Sequence, residues 1–76
     1  MTTLDARGLK CPLPVLKARK AIKDVEPGGL LTVLSTDPGA PKDFIHFCEV
    51  TGHALVESDA TDGVYRFVIR KAAGAR

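Results

Sequence analysis

The sequence has no tryptophan, asparagine or glutamine, and it has one tyrosine and two cysteines in 76 residues. Without asparagine there is no N-glycosylation site. Two cysteines are too few for a disulfide scaffold, so both are expected to be free thiols in a reducing cytosol. No apolar run approaches the ~18 residues of a membrane span, and the first residues lack the basic and apolar blocks of a signal peptide. We therefore expect a cytoplasmic protein without membrane contact.

The length predicts a single small domain over residues 1–76, with an ordered core from about residue 3 to residue 71. Such a domain leaves roughly 40% of the surface of the unfolded chain exposed, so its chemistry should lie near the surface. The composition is 45% apolar and 26% charged, as in ordinary globular proteins. It excludes a disordered, collagen-like or coiled-coil protein.

Charge is distributed unevenly along the chain. Six basic residues and no acidic one lie from Arg7 to Lys23, whereas the rest of the sequence has five basic and nine acidic residues. The basic stretch contains Cys11. A positive field around this thiol would favour an acidic partner, an anionic ligand or a phosphate backbone.

The apolar pattern predicts the element order βαβαββ. Thr2 to Ala6 is typical of a short strand. An amphipathic helix should begin at or beside Cys11, because prolines fit a first helical turn, and should end before Pro27-Gly28-Gly29. Its apolar face carries Val15, Ala18, Ile22 and Val25. The apolar run from Leu30 to Leu34 then indicates a buried strand.

In the second half, Asp37 or a neighbouring group should cap a helix with Pro38 or Pro41 in its first turn. The apolar stripe of this helix is Phe44, Phe47, Cys48 and Thr51, and Gly52 should end it. Strands are predicted from His53 to Ser58 and from Val64 to Lys71, with a turn at residues 61–63 and a frayed tail from Ala72 to Arg76. The right-handed crossover rule then favours a two-layer α/β sandwich, with two helices on one face of a mixed four-stranded sheet.

Cys11 is the main candidate for chemistry. A helix N-terminus and the nearby basic residues should lower its pKa and favour the nucleophilic thiolate. No Cys-x-x-Cys is present, so a thioredoxin-like dithiol is disfavoured. His46 and His53 match no zinc pattern with Cys48, so we expect no metal and no cofactor. What is left is one exposed, activated sulfur that could accept another sulfur as a persulfide.

The segment from Asp5 to Pro14 resembles the signature of the TusA/SirA-type sulfur carriers. Asp5 is followed by Gly8 and then by Cys-Pro-x-Pro, with Cys11, Pro12 and Pro14. The likeness continues to about Lys71, through four further features: Pro27-Gly28, Asp37-Pro38 with Asp43, Phe47-Cys48 and the Tyr65-Arg66-Phe67 strand. The family fold is the same βαβαββ sandwich.

The resemblance implies that Cys11 carries the persulfide, with Asp5, Gly8, Pro12 and Pro14 positioning it. A cysteine desulfurase or rhodanese-like protein would load the sulfur. A DsrE-like protein would accept it in tRNA 2-thiolation, whereas other branches serve sulfur oxidation or molybdenum-cofactor supply. Leu13 lies where tRNA-thiolation carriers often have an acidic residue, so the branch stays open. The resemblance thus implies a sulfurtransferase-type carrier rather than an independent catalyst.

Other roles remain open. Lys10, Lys17 and Lys20 are either a solvated helix face or a docking face for acidic partners. Cys48 is expected in the core, and a resolving thiol is the alternative. The domain could instead be a small RNA-binding or regulatory module, although it has no aromatic run on a basic strand for base stacking, and direct nucleic-acid contact is not expected. A redox sensor using both cysteines is the third hypothesis.

Overall fold

The computed structural model describes residues 2–72, and within them the order βαβαββ is confirmed. The elements are β1 (Thr2–Ala6), α1 (Leu13–Ile22), β2 (Leu30–Ser35), α2 (Ala40–Thr51), β3 (Ala54–Thr61) and β4 (Val64–Arg70). The predicted frayed tail lies outside the described residues, apart from Ala72. Neither helix has the length and apolar character that a transmembrane segment needs.

The four strands form one mixed sheet in the order β1-β2-β4-β3. Strands β1 and β2 are parallel, as expected for two strands joined through a helix, and β4 is antiparallel to both β2 and β3. Alternate residues of β2 and β4 pack in one core cluster with residues of both helices. The helices therefore cover one face of the sheet, and the predicted two-layer sandwich is confirmed.

The core is built on three phenylalanines. Phe44 of α2 is fully buried and stacks on Phe67 of β4, with the ring centroids 4.7 Å apart. Phe47, one turn further along α2, meets Phe44 edge to face with the centroids 6.3 Å apart. Offset and edge-to-face pairs are the favoured aromatic geometries. They fix α2 against the sheet and so set the position of its first turn.

The ends of two elements differ from the sequence prediction by about three residues. Helix α1 ends at Ile22, not near Val25, because residues 23–25 continue in i→i+3 hydrogen-bonded turns. Val25 is nonetheless buried, so the apolar periodicity outlasts the α-helix. Strand β3 extends to Thr61, three residues beyond the prediction, because it pairs along β4 through its backbone while its side chains from Val56 onward stay exposed.

The loop after α1 is tied to the end of β4. Gly28 N–H donates to the Lys71 carbonyl, and Lys71 N–H donates to the Gly29 carbonyl, each at 2.9 Å. The Lys71 ammonium also donates to the carbonyls of Lys23 and Val25, at 3.3 and 2.9 Å. A cation suits this position because carbonyls at a helix C-terminus are unpaired and negative.

Candidate functional site

Cys11 is exposed on the short loop between β1 and α1. The loop is held at both ends. Asp5 accepts the Arg7 backbone N–H at 3.1 Å and also pairs with the Arg7 guanidinium. Gly8 adopts φ +81°, which favours glycine, and its N–H donates to Thr36 Oγ1 at 2.9 Å. These contacts fix the approach of the chain to Cys11.

Asp37 lies beside Cys11 and does not cap α2. Its carboxylate accepts the backbone N–H of Cys11 at 3.2 Å. The sequence predicts that Asp37 or a neighbouring group caps α2; the N-cap is the neighbouring Gly39, and no side chain makes a capping bond. The carboxylate is used instead to tie the loop before α1 to the loop before α2. The thiol consequently lies near the N-termini of both helices.

A second carboxylate, that of Asp43 in the first turn of α2, lies close to the thiol. Cys11 Sγ and one carboxylate oxygen each from Asp37 and Asp43 lie within 4.8 Å of one another. The hydrogen bond to Asp43, partial desolvation and the negative charges of both carboxylates raise the pKa of the Cys11 thiol. The predicted lowering of this pKa is therefore wrong, because the packing of α2 brings acidic groups to a thiol that basic residues flank in sequence.

We expect free Cys11 to react slowly with iodoacetamide at pH 7. The thiolate is the reactive form, and a raised pKa leaves less of it at neutral pH; the rate should therefore keep rising as the pH passes the ordinary cysteine value of about 8.5. The measurement is the rate of carbamidomethylation of Cys11, by mass spectrometry, from pH 6 to 10. A midpoint below that of free cysteine would contradict this expectation.

A groove of about 400 Å³ runs from Cys11 between the two helices. Its walls combine apolar and ionisable side chains: Pro12, Val15, Arg19, Lys42, Asp43, His46, Phe47 and Val50. The Arg19 guanidinium lies over the Phe47 ring, 5.9 Å from its centroid, in a cation–π contact. The groove can hold a segment of a partner protein that approaches the sulfur.

The lysines named from the sequence are exposed but lie outside the lining of this groove. Lys10 precedes Cys11 directly, and Lys17 and Lys20 lie on α1. The basic groups that do line it are Arg19 and Lys42. In the sequence, Arg19 is one of the six basic residues from Arg7 to Lys23. Its position over the Phe47 ring distinguishes it from the others.

A second cavity, of about 500 Å³, adjoins the far end of the helices and does not include Cys11. Its lining is largely basic and consists of Arg19, Ile22, Lys23, Phe47, Thr51, His53 and Lys71. His53 Nδ1 accepts the Ala72 backbone N–H at 2.9 Å. Burial, together with the charge of Lys71, lowers the pKa of His53 and favours the neutral ring.

Cys48 lies in the core, as the sequence predicts. It is 7% exposed, and burial raises the pKa of its thiol. A resolving role would require this buried group to reach the surface.

Cys11, Asp37 and Asp43 form the sole His, Cys, Asp and Glu cluster of this size in residues 2–72. Structural zinc takes four ligands, and three-ligand catalytic sites are built mainly on histidine. The trio does not match either pattern, and the hydrogen bond from the Cys11 N–H to Asp37 accounts for part of the convergence. The absence of a metal stays a prediction.

The fold and site define a small two-layer α/β domain that presents one exposed cysteine, followed by a proline, ahead of its first helix. Comparison with known protein families supports the same class of protein. The family model described as sulfurtransferase TusA matches residues 2–71. The chain therefore belongs to the TusA family, and the resemblance noted in the sequence is confirmed.

Individual relatives cover nearly the same residues. A Neisseria meningitidis serogroup B protein whose name includes the words sulfur carrier protein is 53% identical over 68 residues, covering 90% of this chain and 92% of its own. The sulfur carrier protein TusA of Allochromatium vinosum is 47% identical and covers 90% of each chain. The crystal structure of a SirA-like protein from Desulfitobacterium hafniense superimposes with a TM-score of 0.83 at 34% identity, over 95% of this chain and 99% of that one.

Proposed function

We propose that this protein is a sulfur carrier, which accepts sulfane sulfur as a persulfide on Cys11 and passes it to an acceptor protein. The observation that carries the proposal is the exposed Cys11 thiol at the mouth of the groove between α1 and α2. The second cysteine is buried and is less accessible to a donor. Relatives named sulfur carrier proteins support the same reaction.

A carrier of this kind needs two partners, a donor and an acceptor. We propose a cysteine desulfurase or a rhodanese-like protein as the donor, a DsrE-like protein as the acceptor, and the cytoplasm as the location. Downstream, tRNA 2-thiolation and sulfur oxidation are both compatible with the site, because in both the step at this carrier would be transfer of sulfur between thiols. The chain then acts as a sulfurtransferase-type carrier whose substrates are other proteins.

The RNA-binding alternative is less well supported. All four aromatic residues, namely Phe44, Phe47, Tyr65 and Phe67, belong to the core or pack against it on the helix-covered side. The face of the sheet away from the helices thus has no aromatic ring for a base to stack on. On that face Arg66 is engaged by Glu57 and Asp59, at 2.7 and 3.0 Å.

Intact mass spectrometry tests the carrier proposal. The reduced protein is incubated with a cysteine desulfurase and cysteine, and separately with a rhodanese and thiosulfate. The expected result is a gain of one sulfur atom that a reductant removes, placed on Cys11 by peptide mapping. The effective donor indicates the branch of sulfur metabolism. Failure of both donors to add sulfur would refute the proposal.

The basic face of α1 provides a docking prediction. We propose that Lys10, Lys17 and Lys20 meet an acidic surface on the donor, beside the exposed apolar side chains of Leu13 and Leu16. Lys17→Glu should then lower the association rate constant about tenfold at low salt, because charge complementarity mainly steers encounter. Stopped-flow or surface plasmon resonance experiments with the desulfurase, at low and high salt, measure this association rate constant.

The matched control is Arg70→Glu, which makes the same change of charge at an exposed position of β4 on the other face of the sheet. It should leave the association rate within about twofold of wild type if local steering dominates over net charge. An equal effect of the two variants, or no salt dependence, would contradict a docking role for α1.

A further inference from the structure

The acidic surroundings of Cys11 need an explanation if this residue is a sulfur acceptor. A carboxylate beside a thiol opposes formation of the thiolate, which is the form that attacks sulfur. Two carboxylates are nevertheless placed there by the packing of the β2–α2 loop against the loop before α1. One carboxylate lies at the backbone of Cys11 and the other lies beside its thiol. This difference in position separates their roles.

Asp37 holds the backbone of Cys11. Its Oδ2 accepts the Cys11 N–H at 3.2 Å, and its own N–H donates to Ser35 Oγ at 3.2 Å. This carboxylate orients the loop. The Asp43 carboxylate lies within 4.8 Å of the thiol sulfur and is the group that contributes most to raising the pKa of the thiol. It is half-buried in the first turn of α2, where the positive end of the helix dipole favours a negative charge.

We propose that Asp43 is a catalytic residue of the carrier, taking the Cys11 thiol proton when sulfur is loaded and returning a proton when sulfur leaves. The inference rests on the proposed sulfur-carrier function. When a donor covers the groove, water is excluded and the thiol proton needs an acceptor within the site. Asp43 is the carboxylate that lines the groove and lies within 4.8 Å of the sulfur, whereas the other ionisable groups lining the groove are the cations Arg19 and Lys42 and the ring of His46.

The loading step is balanced without an added oxidant or reductant. As the proton passes to Asp43, Cys11 sulfur attacks the terminal sulfur of the donor persulfide. A new S–S bond forms on Cys11, the S–S bond of the donor breaks, and the donor cysteine leaves with that electron pair as a thiolate. The proton held by Asp43 then neutralises the donor thiolate. Unloading onto an acceptor thiol runs the same exchange in the opposite direction, with Cys11 as the leaving group.

The test compares two reactions of the same thiol in Asp43→Asn. Loss of the carboxylate should slow single-turnover sulfur loading by the desulfurase about 100-fold, the lower end of the range for general acid–base catalysis. Alkylation by iodoacetamide at pH 7.5 should instead become several-fold faster, since a negative charge no longer opposes the thiolate. The control, Glu49→Gln, removes an exposed carboxylate from the same helix and should change neither rate.

In Asp43→Asn the loading rate should fall while the alkylation rate rises. This opposite change distinguishes a proton-transfer role of Asp43 from a structural one. Loading that is unchanged, or that rises together with alkylation, would overturn the inference. Buried Cys48 reports on folding, because it should stay unmodified in every intact variant. Asp43→Glu retains the carboxylate and should load within about tenfold of wild type; a loss as large as in Asp43→Asn would also overturn it. If the wild type gains no sulfur, the carrier proposal fails, independently of Asp43.

Discussion

Replacement of Cys11 by serine is expected to abolish sulfur transfer from a desulfurase to an acceptor. An oxygen nucleophile cannot hold a reducible sulfane sulfur, and the other cysteine is buried in the core. The expected loss is at least about 1,000-fold, which is modest for the removal of a covalent nucleophile. The readout is ³⁵S transfer from labelled cysteine through the carrier to its acceptor.

Cys48→Ala is the matched variant for this prediction. It removes the second thiol without placing a hydroxyl in the core, and it should retain transfer within about twofold of wild type because Cys48 makes no contact with the incoming sulfur in the proposed mechanism. If Cys48→Ala lost transfer as completely as Cys11→Ser, a two-cysteine redox mechanism would replace the carrier mechanism. Retained transfer in Cys11→Ser would exclude both.

The largest effect on stability is expected for Phe44→Ala. The ring is fully buried, stacks on Phe67 and meets the edge of Phe47. Truncating a buried phenylalanine costs about 3–5 kcal/mol. The domain as a whole should have only about 4–11 kcal/mol of unfolding free energy, from the usual value per residue. The variant should therefore lose about a quarter or more of its stability. At the lower end of the expected range of stability, part of the population should be unfolded at 37 °C.

Urea unfolding followed by circular dichroism measures this loss. Ile45→Ala on the same helix is the control, since Ile45 is 51% exposed and should cost at most about 1 kcal/mol. A difference of less than 1 kcal/mol between the two variants would show that the Phe44 site collapses and repacks. The Phe44 variant should also lose sulfur loading, because α2 carries Asp43 to the thiol.

The fold follows from local patterns. The apolar run at Leu30–Leu34 and the stripe at Phe44, Phe47 and Cys48 identify a buried strand and a core-facing helix. Glycine at position 52, in the left-handed region at φ +81°, ends α2 as the sequence indicates. Local patterns do not predict where α1 ends. The apolar residues keep their helical spacing through Val25, although the hydrogen bonds after Ile22 are those of i→i+3 turns.

The identity of the reactive thiol could be predicted, but its electrostatics could not. Asp37 and Asp43 stand 26 and 32 residues after Cys11 in the sequence. Only the packing of α2 against α1 and the sheet brings them to the sulfur. Counting nearby charges along the chain therefore predicted the opposite sign for the pKa shift of Cys11. Asp43 is visible in the sequence as part of the family pattern, and that is the one signal that could have pointed to it.

The strand order has a consequence for the nascent protein. Strand β4 leaves the ribosome after β1, β2 and β3, yet it alone joins β2 to β3 within the described sheet. Until it emerges, the core lacks Phe67 and α2 has no completed surface to pack on. Cys11 is then part of an unfolded segment, without the carboxylate that restrains it. During translation this thiol should react like any ordinary exposed cysteine, and it becomes selective for docked partners only when β4 has emerged and paired with β2 and β3.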